Sequence, residues 1–251
     1  MLWLDPVPRS GASNMAIDQA MLDLAERGTA CLRLYRWHPF CLSFGRNEPA
    51  LRRYDRDRIA ALGLDTVRRP TGGRAVWHAD ELTYAVACPA AAFGQLPAAY
   101  RAIHETLAAA LRRLGAEPVL APAPRRGTPL DAGACFASPA GGEVVIGGRK
   151  VLGSAQLRQG DALLQHGSLL LAGNQSVVAS LTLGTPPPGQ DAPLAELLGR
   201  EVGFAEAAAA VADAVRAWPG SWTAASDPEP FLDASRPHLA RFGSAEWIWR
   251  R

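Results

Sequence analysis

The sequence predicts an α+β protein in which mixed, mostly antiparallel sheets pack with helices and the chain ends in a small helical extension. Three observations carry this. Short segments of alternating apolar residues are joined by glycine turns, the mark of antiparallel pairing. Other segments place apolar residues three and four apart and read as amphipathic helices. A chain of 251 residues with 48% apolar and 20% charged residues can bury a full core. The expected division is a main domain over residues 1–184, then a linker and helical extension over 185–251 packed on the same domain.

The elements follow in order. Ser13 to Arg27 is expected to be a helix, capped by Ser13 or Asn14, striped by Ile17, Ala20, Met21 and Leu24, and stopped by Gly28. Cys31 to Trp37 and Pro39 to Phe44 read as two short strands around His38-Pro39. Arg52 to Leu62 reads as a helix, and Asp65 to Arg69 as a strand running into the turn Pro70-Thr71-Gly72-Gly73. Glu81 to Cys88 alternates, with Leu82, Tyr84, Val86 and Cys88 on one face. Tyr100 to Leu114 is an amphipathic helix ended by Gly115. Residues 118–142, rich in Pro, Ala and Gly, are expected to form a long irregular segment of a kind that is usually functional or mobile. A three-stranded meander is expected next: Glu143 to Ile146, Arg149 to Arg158 and Ala162 to Leu171, with turns at Gly147-Gly148 and near Gly160. Pro186-Pro187-Pro188 marks a linker. Helices are expected over Pro193 to Leu198 and Phe204 to Trp218, and the Trp- and Arg-rich tail gives no clear pattern.

Charge and composition exclude several function classes. The net charge of +2 gives no electrostatic case for nucleic acid. The densest arginine group, Arg52 to Arg58, is interleaved with Asp55 and Asp57 and reads as a solvated helical face. No apolar run approaches the roughly 20 residues that span a bilayer, so no membrane partner is expected. The N-terminus lacks the pattern of a signal peptide. Four cysteines without CxxC spacing and five scattered histidines suggest a reducing, cytoplasmic setting and no metal.

Of the 26 basic residues, all but Lys150 are arginine. Arginine replaces lysine wherever only charge is required, but not where a compact ammonium must fit a tight site. The plainer reading is a lysine left by chance on a solvated hairpin. Three stretches around it could carry chemistry. Arg68-Arg69-Pro70-Thr71-Gly72-Gly73-Arg74-Ala75-Val76-Trp77-His78 is a glycine turn whose backbone N–H groups and flanking arginines suit a phosphate or carboxylate, or else a hairpin with charged shoulders. Lys150 to Ala155 lies near Gln165-His166-Gly167-Ser168. A turn centred on Gly160 would set Gly153 opposite Gly167 and Ser154 opposite His166, and facing glycines mark a close approach by a ligand or another backbone. His166 is either part of that site or a core histidine bonded to a carbonyl. Neither Ser154 nor Ser168 sits on a nucleophile elbow. Cys31, Cys41 and Cys88 lie in apolar strands and read as inert core residues. Cys135 lies in the irregular segment, 15 residues before Lys150, and a nearby cation would activate its thiol.

These stretches together resemble the lipoate/octanoate transfer enzymes of the biotin/lipoyl protein ligase catalytic-domain superfamily. Arg68 to Val76 is similar to the family's lipoyl-pocket loop, Lys150-Val151-Leu152-Gly153-Ser154-Ala155-Gln156 to its catalytic-lysine strand, and Leu164 to Leu170 to the strand that follows. Asn14-Met15-Ala16-Ile17-Asp18 and Phe44-Gly45-Arg46-Asn47 are similar too. The resemblance favours the ligase-like octanoyltransferase branch. Arg74 stands where ATP-using ligases usually carry a third glycine, and Cys135-Phe136-Ala137-Ser138-Pro139 resembles that branch's nucleophile segment.

The resemblance implies a biotin/lipoyl ligase-like fold and a reaction. Cys135 would take octanoate from acyl carrier protein, with Lys150 as its catalytic partner, and pass it to the lysine of a lipoyl domain such as the glycine-cleavage H protein. Arg69, Thr71, Gly72, Gly73, Arg74, Ala75, His78, Gly153, Ser154, Ala155, His166 and Gly167 would hold the acyl group. No cofactor is implied. ATP and Mg²⁺ enter only under the alternative of a lipoate-protein ligase, and a third reading is a non-catalytic subunit that binds lipoyl domains.

Overall fold

Residues 82–88 alternate as expected, yet both faces of this strand are buried, because it is the centre of a sheet covered on two sides. The computed structural model describes residues 1–122, 141–184, 191–218, 222–225 and 227–250. Its strands are β1 (Leu2–Leu4), β2 (Cys31–Tyr35), β3 (Cys41–Phe44), β4 (Asp65–Arg68), β5 (Val76–His78), β6 (Glu81–Pro89), β7 (Val119–Leu120), β8 (Val144–Ile146), β9 (Arg149–Lys150), β10 (Leu152–Gln159) and β11 (Ala162–Leu170). Its helices are α1 (Gly11–Ala25), α2 (Ala50–Arg53), α3 (Arg56–Ala61), α4 (Leu96–Arg113), α5 (Ser176–Leu181), α6 (Leu194–Leu198), α7 (Phe204–Val215), α8 (Glu229–Gly243) and α9 (Ala245–Ile248).

The main sheet runs β1-β2-β6-β11-β10, antiparallel throughout except for the parallel pair β1 and β2. One face carries Cys31, Tyr35, Ala85, Ala87, Ala162 and Leu164 and packs under α1 and α8. The other carries Leu34, Leu82, Tyr84, Val86, Cys88 and Leu163 and packs under α4 and α7. A smaller sheet, β4-β3-β5, holds β3 parallel to β4 and antiparallel to β5. The thiols of Cys31 and Cys88 are each pushed up to about 12 by burial, and burial also raises Cys41. All three behave as core residues.

Several expectations are corrected. The first helix begins at Gly11, with Ser10, not Ser13 or Asn14, as its cap: Ser10 Oγ accepts from the Ser13 N–H at 3.3 Å. Asn14 faces inward instead and donates to the carbonyls of Arg9 and Arg36. The helix expected over Arg52 to Leu62 is two helices, broken where Tyr54 turns extended and Asp55 starts a new cap on the Arg58 N–H at 2.9 Å.

The expected meander is not one sheet. Arg149 and Lys150 pair back onto β8 in a separate sheet, β7-β8-β9. At Val151 the chain changes partner, so that Leu152 onward pairs with β11. The turn after β10 holds two residues, Gly160 and Asp161, with Gln159 opposite Ala162. This moves the register by one: Gly167 faces Ser154, Gly153 faces Ser168, and His166 faces Ala155. A one-residue change exchanges the two faces of a strand, so it decides which side chains can reach the site.

Candidate active site

The site is built over one row of the main sheet. Tyr35, Thr83, Ser168 and Gly153 are successive cross-strand partners on β2, β6, β11 and β10, and all four line one slot. Met15 of α1, Trp37, His78, Arg69, Gly73 and Val76 cover it, and the slot encloses about 390 Å³ with its open mouth included. Four strands about 4.8 Å apart make a floor roughly 14 Å long, and an extended eight-carbon chain measures roughly 9 Å.

Many polar residues line this slot, and their polar atoms are turned into the protein. Glu81 is buried and accepts from His78 Nδ1 at 2.7 Å, from Thr83 Oγ1 and from Ser168 Oγ. Thr83 in turn accepts from Trp37 Nε1 at 2.6 Å, and the Trp37 ring stacks on His78 at 4.0 Å. His166 Nδ1 donates to Asp18 Oδ2 at 2.7 Å, since a carboxylate can only accept, and Thr71 Oγ1 lies 2.6 Å from Nε2. Burial lowers the His166 pKa, so the ring is neutral and its Nε2 accepts from Thr71. The same Asp18 accepts from Tyr35 and from Arg33, a fully buried guanidinium that Asp5 also holds at 2.7 Å. With hydroxyls and rings committed in this way, the slot presents hydrocarbon to an occupant.

Of the residues expected to bind substrate, Arg69, Gly73, His78, Gly153, Ser154, Ala155, His166 and Gly167 line the slot. Thr71, Gly72, Arg74 and Ala75 do not; they shape its loop. The carbonyls of Gly72 and Arg74 accept from Arg69 Nη2 at 3.2 and 2.7 Å, and the Ala75 N–H donates to Glu48 Oε1 at 3.2 Å. Gly73 has φ +95°, and a Cβ on Gly45 would overlap the Gly73 carbonyl, so both positions require glycine.

The flanking arginines Arg68 and Arg69, read either as partners for a phosphate or carboxylate or as the charged shoulders of a hairpin, are buried: Arg69 donates to the Ser43 carbonyl at 3.1 Å and to Ser43 Oγ at 2.5 Å. Arg68 is fully buried and donates to the carbonyls of Gly45, Glu48, Ile248 and Arg250 at 2.7–2.9 Å. A guanidinium offers five N–H donors, and here they lock the loop over Gly45 to Glu48 onto the C-terminal segment.

Lys150 does not line the slot. It ends β9 with its side chain 1% exposed, and Nζ donates to Glu143 Oε1 at 2.7 Å. A solvated hairpin lysine is therefore not what the structure holds, and Glu143 supplies the countercharge that a buried ammonium requires. Cys135 falls within residues 123–140, outside the described residues. Sequence reasoning missed Asp18, Glu81, Glu143, Tyr84 and His104. Asp18 had a readable signal, since it interrupts the apolar pattern of α1 with an acid. Among the described residues there is no group of three or more His, Cys, Asp or Glu that could hold a metal ion, and no helix is long and apolar enough to cross a membrane.

Residues 10–216 match the family described as lipoyl protein ligase A/B catalytic domain. The octanoyltransferase LipM of Moorella thermoacetica is 35% identical over 260 residues, which cover 95% of this chain and 94% of that protein. The octanoyltransferase LipM of Kyrpidia tusciae is 44% identical over 172 residues, 64% of this chain and 62% of the relative, so that match spans less than two thirds of its length. Among solved structures, lipoate-protein ligase A bound with ATP superposes with a TM-score of 0.82 at 19% identity, covering 99% of this chain and 97% of the other. A T. acidophilum protein with bound lipoic acid gives 0.81 at 19% identity, over 99% and 98%. At such identity the structural likeness carries the fold.

Proposed function

The chain belongs to the lipoyl protein ligase A/B catalytic-domain family, and on that premise we propose that it is an octanoyltransferase. It takes an octanoyl group from the thioester of acyl carrier protein and delivers it to the lysine of a lipoyl domain, the glycine-cleavage H protein being the first candidate. The observation that carries this reading is the slot: a hydrocarbon-lined floor across four strands, long enough for eight carbons, within a chain whose near full-length relatives bear that name. Burying each CH₂ contributes about 0.8 kcal/mol, so the length of the slot selects the chain.

The reaction runs in two transfers. The Cys135 thiolate attacks the thioester carbonyl, the carrier's thiolate leaves, and the octanoyl group stays on Cys135 as a new thioester. The acceptor's lysine amine then attacks that thioester, expels the Cys135 thiolate, loses a proton and ends as an amide. Lys150, as the ammonium, favours the thiolate and stabilises the oxyanion formed in each step. Because the donor is already a thioester, no nucleotide is consumed.

The test is transfer from octanoyl-acyl carrier protein to a purified lipoyl domain, with and without ATP and Mg²⁺. The proposal expects equal octanoylation in both arms. Strict ATP dependence, with free octanoate or lipoate as the substrate, would instead establish a ligase.

A further inference from the structure

His104, on α4, lies on the face of the main sheet opposite the slot and is fully buried. Its Nδ1 is 2.6 Å from the Gly142 carbonyl, and a carbonyl can only accept, so Nδ1 carries the hydrogen. Nε2 then holds a lone pair, 2.8 Å from Ser154 Oγ, and Ser154 donates to it. The rest of the chain of bonds fixes the same direction. Tyr84 donates to Ser154 Oγ at 2.7 Å, Gln165 Nε2 donates to the Tyr84 oxygen at 2.8 Å, and Gln156 Nε2 donates to Gln165 Oε1 at 2.9 Å. A second hydrogen on His104 would make Nε2 a donor, and the Ser154 hydrogen would then lose its acceptor among these partners. The neutral ring is the form that satisfies every partner, and burial, with the Lys150 charge adding to it, holds the imidazole pKa down to about 4.

The two ends of this imidazole reach the two halves of the candidate site. Gly142 immediately precedes Glu143, the carboxylate on which Lys150 Nζ rests. That segment is bracketed by bonds from the Gly142 N–H to the Ala121 carbonyl and from the Ala121 N–H to the Glu143 carbonyl, both 2.7 Å. Ser154 is one residue beyond Gly153 in the slot floor. We propose that His104 is a positioning residue: its bond to the Gly142 carbonyl sets the place of the adjoining Glu143–Lys150 pair, and Ser154 fixes the orientation and tautomer of the ring. The inference rests on the proposed role of Lys150 for its effect on catalysis, and on geometry alone for its effect on where Lys150 sits.

The two arms can be cut separately. In His104→Asn the amide reaches the place of Nδ1 and keeps the donor to Gly142. In His104→Gln it reaches the place of Nε2 and keeps an acceptor for Ser154. Because the chain holds one lysine, protein labelled with ¹⁵N,¹³C-lysine gives a single side-chain signal that reports Lys150 without any substrate. With folding checked by circular dichroism, His104→Asn should leave that signal at its wild-type position and kcat within about threefold. His104→Gln should move the signal and lower kcat roughly tenfold to a hundredfold, with KM for the octanoyl donor within about threefold. A lysine signal unmoved in both variants, or moved equally in both, overturns the proposal. Should even the wild type transfer no octanoyl group, the proposed activity fails, while the lysine signal still decides the positioning claim.

Discussion

Lys150 carries a charge that arginine carries at every other basic position of this chain. Its side chain is buried against Glu143, and a guanidinium there would have to place a wider, planar group in the volume of an ammonium. Lys150→Arg is therefore expected to fold, by circular dichroism, yet to lose about a hundredfold or more in single-turnover octanoyl transfer, close to Lys150→Ala. Activity within a few-fold of wild type would mean that charge alone matters at this position. His104 makes a second prediction at this scale. Its pKa is near 4 in the folded protein and about 6.5 when unfolded. The unfolded chain thus takes up a proton as pH falls through 6.5 while the folded chain does not, and stability declines between pH 6.5 and about 4, by ~3 kcal/mol at most. Thermal melts across that range should show the decline, and His104→Asn should make it shallower, leaving the part that the buried, neutral His166 contributes. The singular lysine could be read from the sequence because composition alone exposes it. Its partner Glu143 could not, because an acid seven residues earlier becomes a neighbour only once β8 and β9 pair.

The pairing of β10 with β11 shows how one register decides the chemistry of a face. With a two-residue turn, Gly167 falls between Tyr84 and Ser154, and the Tyr84 hydroxyl reaches over it to Ser154 Oγ. A Cβ on Gly167 would lie 2.5 Å from Ser154 Oγ and from the Gly153 carbonyl, and 2.6 Å from Tyr84 Cε1. The glycine is thus required by the protein's own neighbours, the Gly153 carbonyl and Ser154 together with the Tyr84 ring, whatever the slot holds. Gly167→Ala is expected to cost about 2 kcal/mol in chemical denaturation, and removing the ring in Tyr84→Ala should recover part of that loss in the double variant. Strict additivity would show that the ring is not the obstacle. The strands themselves were legible from alternation and from the glycines at 147, 148 and 160. The register was not, because Gln159-Gly160-Asp161 suits a two- or a three-residue turn equally well. The break at Val151 was hidden for a different reason. Lys150 bonds through its carbonyl to the Ala192 N–H, a partner forty residues away that no local pattern announces.

Across the whole molecule, the apolar stripes and alternations gave mixed, mostly antiparallel sheets packed with helices but not the burial of both faces of the main sheet, and the tail stayed unread for a physical reason. Pro237 lies inside α8 and breaks the regular stripe, and the helix is held by packing against α1 and by Trp3 of β1, whose ring stacks on Phe231 at 5.7 Å. Beyond it, α9 is fastened by the buried Arg68 rather than by a pattern of its own. The loop that covers the slot is thereby tied to the far end of the chain, since Arg68 also holds the carbonyl of Gly45, the residue pressed on Gly73. This architecture gives a hydrocarbon slot and a buried ammonium, and the proposed function adds Cys135 as the nucleophile. The measurement that tests it most directly is the intact mass of the protein after brief mixing with octanoyl-acyl carrier protein and no ATP. The account predicts one octanoyl adduct on the wild-type chain, mapped to Cys135 and absent from Cys135→Ala. Full transfer to a lipoyl domain by Cys135→Ala, with no adduct on either protein, would contradict it.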